Sequence, residues 1–328
     1  MTSTSTRTFD ALGPYLNKPS QLSPTRGELG GRCHRRHVLS DFLHLHADYK
    51  PSPLSFGDVF HQARAAFWRA CLDDDGREMD GARPEALTTA RELGHEVWDV
   101  ADDGSYHTKE LFDLLMEEYA KNATLGGIIP GDWRMVQIEE RLRYEQDGMV
   151  ITFQLDSLLE NEEGELCIMD AKTASRLSKL WRDGQRRGIQ IRAYKQMIQE
   201  VLGQPVRYVQ VEGVQKKTTP GLVDYVWADA DWTPAYEEEA MEFLRRRAVE
   251  DRGFLEAMDS EGLEERWMEG LEIALTEPLI VDFNLMDCES YYTKCPYYEL
   301  CHSCPTERMG LALSDYQMEV RPYAMEEA

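Results

Sequence analysis

The chain has 328 residues, enough to bury a sizeable core as one elaborated domain or as two. An apolar content of 42% and an aromatic content of 10% exclude global disorder, and no apolar run approaches the roughly 20 residues that cross a bilayer. A formal net charge of −24 excludes broad, nonspecific attraction to nucleic acid, but metal ions and a local basic strip can still bring a phosphate to an acidic protein.

Residues 1–30 are rich in Ser, Thr, Gly and Pro and read as a flexible arm without the apolar stretch of a secretory signal, so a soluble, cytoplasmic chain is expected. Next comes Cys33, at the start of an expected helix and among basic residues. Pro51–Pro53 breaks the chain. A helix then begins near Ser55, capped by Ser55 or Asp58, with Phe56, Phe60, Ala63 and Phe67 on one face. His61 follows Phe60. Alone, a helical histidine reads as a structural residue, and His95 is its rival. Arg83–Asp99 and Ser105–Ala120 are further helices, and Gly126-Gly127 and Pro130-Gly131 mark a turn.

A three-stranded meander follows. Val136, Ile138 and Leu142 mark the first strand, Gln146-Asp147-Gly148 a hairpin turn, and Val150–Leu159 the second strand. Asn161–Gly164 is the next turn and Glu165–Lys172 the third strand. The stretch 174–188 reads as a basic loop with Arg176, Lys179, Arg182, Arg186 and Arg187. Gly188–Leu202 is a helix, Pro205–Gly213 and Leu222–Trp227 are strands, and Thr233–Arg252 and Glu261–Glu277 are charged helices.

The meander and the helix after it carry the chemistry. Hydrolysis of a phosphodiester needs an activated water and relief of charge on the phosphorus, and a divalent metal supplies both. Mg²⁺ keeps several waters, so one or two carboxylates suffice to hold it. Asp156 and Asp170 sit on neighbouring strands that a hairpin turn can bring side by side. Lys172 lies two residues after Asp170, hence on the same face, where it can orient a water or steady developing charge. Gln190 and Tyr194, four apart on a helix, also share a face. Asp-x-Lys alone is as common in a surface ion pair. The joint pattern is far more specific.

From about Cys33 to Cys304 the chain resembles a PD-(D/E)XK nuclease of the RecB-like branch, as found in phages and in iron–sulfur nucleases. FGDVFH resembles the family's metal-binding helix, QLDSLLENEEGELCIMDAKTAS its two catalytic strands, and QIRAY its Q-x-x-x-Y motif. The resemblance implies an α/β fold with a restriction-endonuclease-like core, a mixed central sheet flanked by helices, helical insertions and a cysteine-rich C-terminal tail. It implies His61, Asp156, Asp170 and the Ala171 backbone carbonyl as ligands of Mg²⁺ or Mn²⁺. Asp156, Asp170, Lys172, Gln190 and Tyr194 become the catalytic set. Gln154 stands where the family often has Gly, which reads as a packing detail.

Seven cysteines are present, four of them within 17 residues near the C-terminus, a spacing that points to a metal or iron–sulfur site. The resemblance implies a [4Fe–4S] cluster held by Cys33, Cys288, Cys295 and Cys301, with Cys304 as a substitute for Cys288. A Zn²⁺ site built from the tail is the rival. Cys71 and Cys167 read as buried apolar thiols.

The expected organisation is an arm (1–30), one nuclease domain (31–310) and a tail (311–328). Within the domain, 31–132 is helical, 133–230 is the catalytic core, and 231–310 is helical and Cys-rich. The expected function is a metal-dependent DNA exonuclease acting on ends or single strands in phage or bacterial recombination, repair or replication, alongside recombination or replication proteins. Arg176, Lys179, Arg182, Arg186 and Arg187 would contact DNA. The alternative is a catalytically silent DNA-binding accessory protein of the same fold.

Overall fold

A computed structural model describes residues 21–22, 38–39, 43, 45–47, 52–100, 107–125, 129–146, 149–217, 219–258, 262–276, 297, 308, 312–313 and 316–318. Cys33, Cys288, Cys295, Cys301 and Cys304 lie outside the described residues, as do the Asp147-Gly148 turn and nearly all of the arm and tail. Two compact units emerge.

The unit formed by Lys50–Tyr144 and Phe153–Ala240 holds the catalytic candidates. Its sheet runs through β4 (Met149–Asn161, in this unit from Phe153 onward), β5 (Leu166–Ala174), β6 (Val206–Gln215) and β7 (Gly221–Ala228), with β3 (Trp133–Gln146, in this unit up to Tyr144) also paired to β4. β5 is antiparallel to β4 and parallel to β6, and β6 is antiparallel to β7. The sheet is therefore mixed. In β5 every residue from Leu166 to Ala171 is buried, which explains its near-continuous apolar run: a strand covered on both faces has no polar side to show.

Parallel pairing of β5 and β6 requires a crossover, and two helices supply it. They are α4 (Lys179–Arg187) and α5 (Ile189–Leu202). The basic stretch is thus largely a helix, not the expected loop. Ser178 caps it, its hydroxyl accepting the Trp181 N–H at 3.1 Å. No residue of α4 is buried, so no apolar periodicity announced it. Gly213 on β6 lets this segment approach: a Cβ there would lie 2.9 Å from Leu177 Cδ2 and 3.2 Å from the Trp181 ring.

Three helices pack an aromatic core in the same unit: α1 (Ser52–Cys71), α2 (Arg83–Glu96) and α3 (Lys109–Asn122). Phe60, Phe67, Trp68 and Tyr119 meet edge to face, the arrangement ring quadrupoles favour. α1 begins earlier than expected. Pro53 lies in its first turn, where a missing N–H costs nothing, and Ser55 is buried inside the helix instead of capping it. α3 begins later than expected, because Thr108 takes the Leu111 N–H and caps it. Cys71 and Cys167 are buried free thiols. Burial pushes Cys71 up to about 11 and Cys167 further, so both stay protonated.

The second unit comprises Met1–Tyr49, Glu145–Thr152 and Met241–Ala328. In it β1 (Gln21–Leu22) pairs parallel with Val150 and Ile151, and β2 (Leu45–Ala47) pairs antiparallel with β8 (Tyr316–Met318). Val38, Leu39, Leu43, Phe254, Trp267, Leu271 and Tyr297 share a small core, pinned by the Trp267 indole N–H on the Leu43 carbonyl at 2.8 Å. Two charged helices were expected in this part of the chain; they are α6 (Pro234–Ala257), which belongs to this unit from Met241 onward, and α7 (Leu263–Thr276). Among the described residues no helix is long and apolar enough to cross a membrane.

Candidate active site

α1 and the adjacent strands bring the predicted residues together. His61 Nδ1 lies 3.1 Å from Asp156 Oδ2, so the upstream helix and β4 meet at this pair. The same carboxylate oxygen accepts the Ala171 backbone N–H at 2.7 Å, joining β4 to β5 at the residue after Asp170. Asp170 is 2% exposed, and Lys172 sits 3.1 Å from its Oδ1 and 3.0 Å from its Oδ2. Oδ2 completes no hydrogen bond. On α5, Gln190 Nε2 donates to the Tyr194 hydroxyl at 3.1 Å, and that hydroxyl donates to the Gln154 carbonyl at 3.1 Å. Arg192 and Lys195 fix this helix: Arg192 reaches the Tyr236 carbonyl and Glu239, and Lys195 pairs with Glu237 and Asp229.

Glu139 was not anticipated. With His61 and Asp156 it completes a group whose nitrogen and carboxylate oxygens all lie within 4.8 Å of one another, a set that can hold a metal ion. Asp170 is not in that group, though the charge of Asp156 is felt at Asp170. Glu139 has φ 54°, the left-handed region that a non-glycine residue rarely enters and that tends to mark functional sites. Across it the inward positions of β3 change parity, from Trp133 and Met135 to Tyr144. Val136, one of the residues that marked this strand, lies between the inward Trp133 and Met135 and the change, and is exposed. Gln154 is more than a packing detail. Its amide donates to Glu139 Oε2 at 2.6 Å while its carbonyl holds Tyr194.

The electrostatics separate the acids. Burial alone would raise Asp156, but the charge and hydrogen bond of His61, with Lys172 and Arg64, hold it far below the usual carboxylate range. Asp170 is raised by burial and by Asp156, with Lys172 opposing. Burial would lower Lys172, yet Asp170 and Asp156 outweigh it and keep the ammonium charged. Burial would lower His61 too, and Asp156 reverses that. Tyr194 is pushed up to about 12 by burial, so it acts as a neutral hydroxyl. Carboxylates crowded with an imidazole fit a divalent cation.

Burial and the charge of Asp156 push Glu139 up to about 7, and burial with Glu212 pushes Asp224 up to about 6. A carboxyl raised by folding keeps its proton in the fold after the unfolded chain has lost it. Metal-free stability is therefore expected to fall as pH rises from about 4.5 to about 7. Since metal ligands must be deprotonated, millimolar Mn²⁺ should raise the melting temperature more at about pH 7.5 than at about pH 5.5. Equal shifts at both pH values would contradict this arrangement of charges.

Of the basic residues, Arg176, Lys179 and Arg187 have no ion-pair partner among the described residues. Arg182 bonds Asp183, and Arg186 bonds the Asp231 carbonyl while lying over the Trp232 ring.

The sequence profile of the PD-(D/E)XK nuclease superfamily matches residues 21–307. The chain belongs to the PD-(D/E)XK nuclease superfamily. As a member it is a nuclease, and the mixed sheet with flanking helices is the superfamily's fold. Nucleases of this superfamily use divalent metals, which agrees with the donor set at His61, Glu139 and Asp156. No curated protein matches the chain. Among solved structures, a protein from Eubacterium rectale provisionally described as an exonuclease is similar, at 12% identity and a TM-score of 0.46. The match covers 77% of this PD-(D/E)XK chain and 87% of the other.

Proposed function

We propose that this nuclease is a Mg²⁺- or Mn²⁺-dependent deoxyribonuclease that degrades DNA from ends or single strands, serving recombination, repair or replication in a phage or bacterial setting. The observation that carries the reading is the meeting of His61, Glu139 and Asp156 beside the ion pair of buried Asp170 and half-buried Lys172. His61, Asp156 and Asp170 would hold the metal with the Ala171 carbonyl, and Glu139 would join them. When bound, such an ion lowers the pKa of a water and offsets charge on the phosphate.

The chain's own groups do the rest. Lys172 stays protonated, so it serves as a fixed cation against charge developing on the phosphate rather than as a base. Tyr194 and Gln190 form one polar unit that buttresses β4 through the Gln154 carbonyl. The unpaired Arg176, Lys179 and Arg187 on and beside α4 offer a cationic face to the backbone phosphates, with Arg182 and Arg186 beside them. Replacing Arg176, Lys179 and Arg187 by Glu together should raise KM for DNA and reduce its salt dependence by about three counterions, leaving kcat within a few-fold. An unchanged KM would remove α4 from the interface.

End-labelled linear DNA and covalently closed circular DNA test the exonuclease reading. Degradation of the linear form alone is expected. Rapid nicking of the closed circle would contradict it. Cys33, Cys288, Cys295 and Cys301, or Cys304 for Cys288, carry a separate proposal of a [4Fe–4S] cluster with Zn²⁺ as rival. Brown, anaerobically purified protein supports iron, and colourless protein with stoichiometric zinc overturns it.

A further inference from the structure

We propose that Arg64 is a positioning residue of the metal site, acting through Ser157 and Glu212. The inference rests on reading that site as metal-dependent.

Arg64 lies one helical turn beyond His61 on α1, so the two side chains leave the same side of the helix. Arg64 is fully buried, and its three nitrogens are divided between two strands. Nε donates to Glu212 Oε2 at 2.8 Å, Nη2 lies 2.6 Å from the same oxygen, and Nη1 donates to Ser157 Oγ at 3.1 Å. Ser157 directly follows Asp156 and donates its own hydroxyl to the Asp156 carbonyl at 2.6 Å. Glu212 stands opposite Ala171 in the parallel β5–β6 register, flanked by the partners of Asp170 and Lys172. One guanidinium, carried on α1 one turn from His61, therefore bonds two strands: β4 at the residue after Asp156, and β6 at the register partner of Ala171, between Asp170 and Lys172 on β5.

The network is closed on its far side. The Tyr119 hydroxyl donates to the Glu212 carboxylate, 3.0 Å from each oxygen, and accepts the Trp68 indole N–H at 2.8 Å. A buried Arg–Glu pair is a poor source of stability, since apolar residues of similar volume often do as well. What the planar fork supplies is a fixed distance between elements and a permanent cation behind the carboxylates. Its charge reaches both Asp156 and Glu139. Groups that orient metal ligands from behind are worth about 10–100-fold in metal affinity or activity.

The test is the double variant Arg64→Met/Glu212→Gln, which removes both charges together. Mn²⁺ binding is measured by calorimetry without DNA, and kcat and KM with end-labelled DNA. The expected result is Mn²⁺ affinity lower by about 10–100-fold and kcat reduced with KM for DNA unchanged, at a melting temperature near wild type. Arg64→Lys, which keeps the charge but cannot span Glu212 and Ser157, should restore only part of the affinity. Should the double variant not fold, Ser157→Ala cuts the link to Asp156 without stranding a charge and should still weaken Mn²⁺ binding several-fold. Wild-type Mn²⁺ affinity and kcat in a folded double variant, or in Ser157→Ala, overturn the proposal. Wild-type protein that binds no Mn²⁺ instead overturns the metal-site reading beneath it.

Discussion

Asp170→Asn and Lys172→Ala are each expected to lower single-turnover DNA hydrolysis by on the order of 10³-fold at saturating Mn²⁺, about 4 kcal/mol in the barrier. The two act by different routes. Asp170→Asn keeps the shape of a buried side chain but removes the negative charge that would bind the ion, and it leaves the Lys172 ammonium without its partner at 3.0 Å. Lys172→Ala removes the cation that opposes the upward push of burial and Asp156 on Asp170. Asp170 should then hold its proton to higher pH, so this variant also needs more Mn²⁺ and a more alkaline optimum. Circular dichroism and unfolding curves near wild type would show that the loss is chemical. Full activity in either folded variant would mean that the Asp170–Lys172 pair is only an ion pair.

Arg64→Met alone is expected to cost about 3–5 kcal/mol of stability, among the largest effects of any single substitution here. Arg64 and Glu212 are both fully buried, and Glu212 would be stranded as a charge with only Tyr119 left to bond it. Glu212 must then take up a proton or draw water into the core, and either undoes packing around Trp68 and Tyr119. Pairing the change with Glu212→Gln should recover most of the loss, because the stranded charge is gone. Urea unfolding at constant m-value measures both. A single variant as stable as wild type would show that water already reaches the pair.

Much of the site was legible because its signals are local. The apolar run Leu166–Met169 marks a strand buried on both faces, and a charged Asp170 at its end has no packing reason to be there. Asn161 closes the preceding turn with its own side chain, accepting the Glu163 and Glu165 N–H groups, while Gly164 takes φ 75°. Spacing of two and of four placed Lys172 beside Asp170 and Gln190 beside Tyr194, as observed.

What escaped depends on contacts that no local pattern encodes. Glu139 carries a left-handed φ that no sequence pattern announces, and across it the inward positions of β3 change parity, so alternation counted straight through the strand fails beyond it. Arg64 and Glu212 are 148 residues apart, and each alone reads as an ordinary surface charge. α4 has no buried face, so nothing but its Ser178 cap distinguishes it from a basic loop. Gln154 matters through its carbonyl, which every residue has, and through an amide aimed at Glu139.

The most direct test of the metal-dependent site is an anomalous difference map from crystals of the protein grown with Mn²⁺ and a short DNA strand. A peak is expected among His61, Glu139, Asp156 and Asp170, about 2.0–2.2 Å from their donor atoms and next to a phosphate, with Lys172 facing that phosphate. Manganese bound elsewhere on this acidic chain, with none at these residues in protein that cleaves DNA, would contradict the assignment.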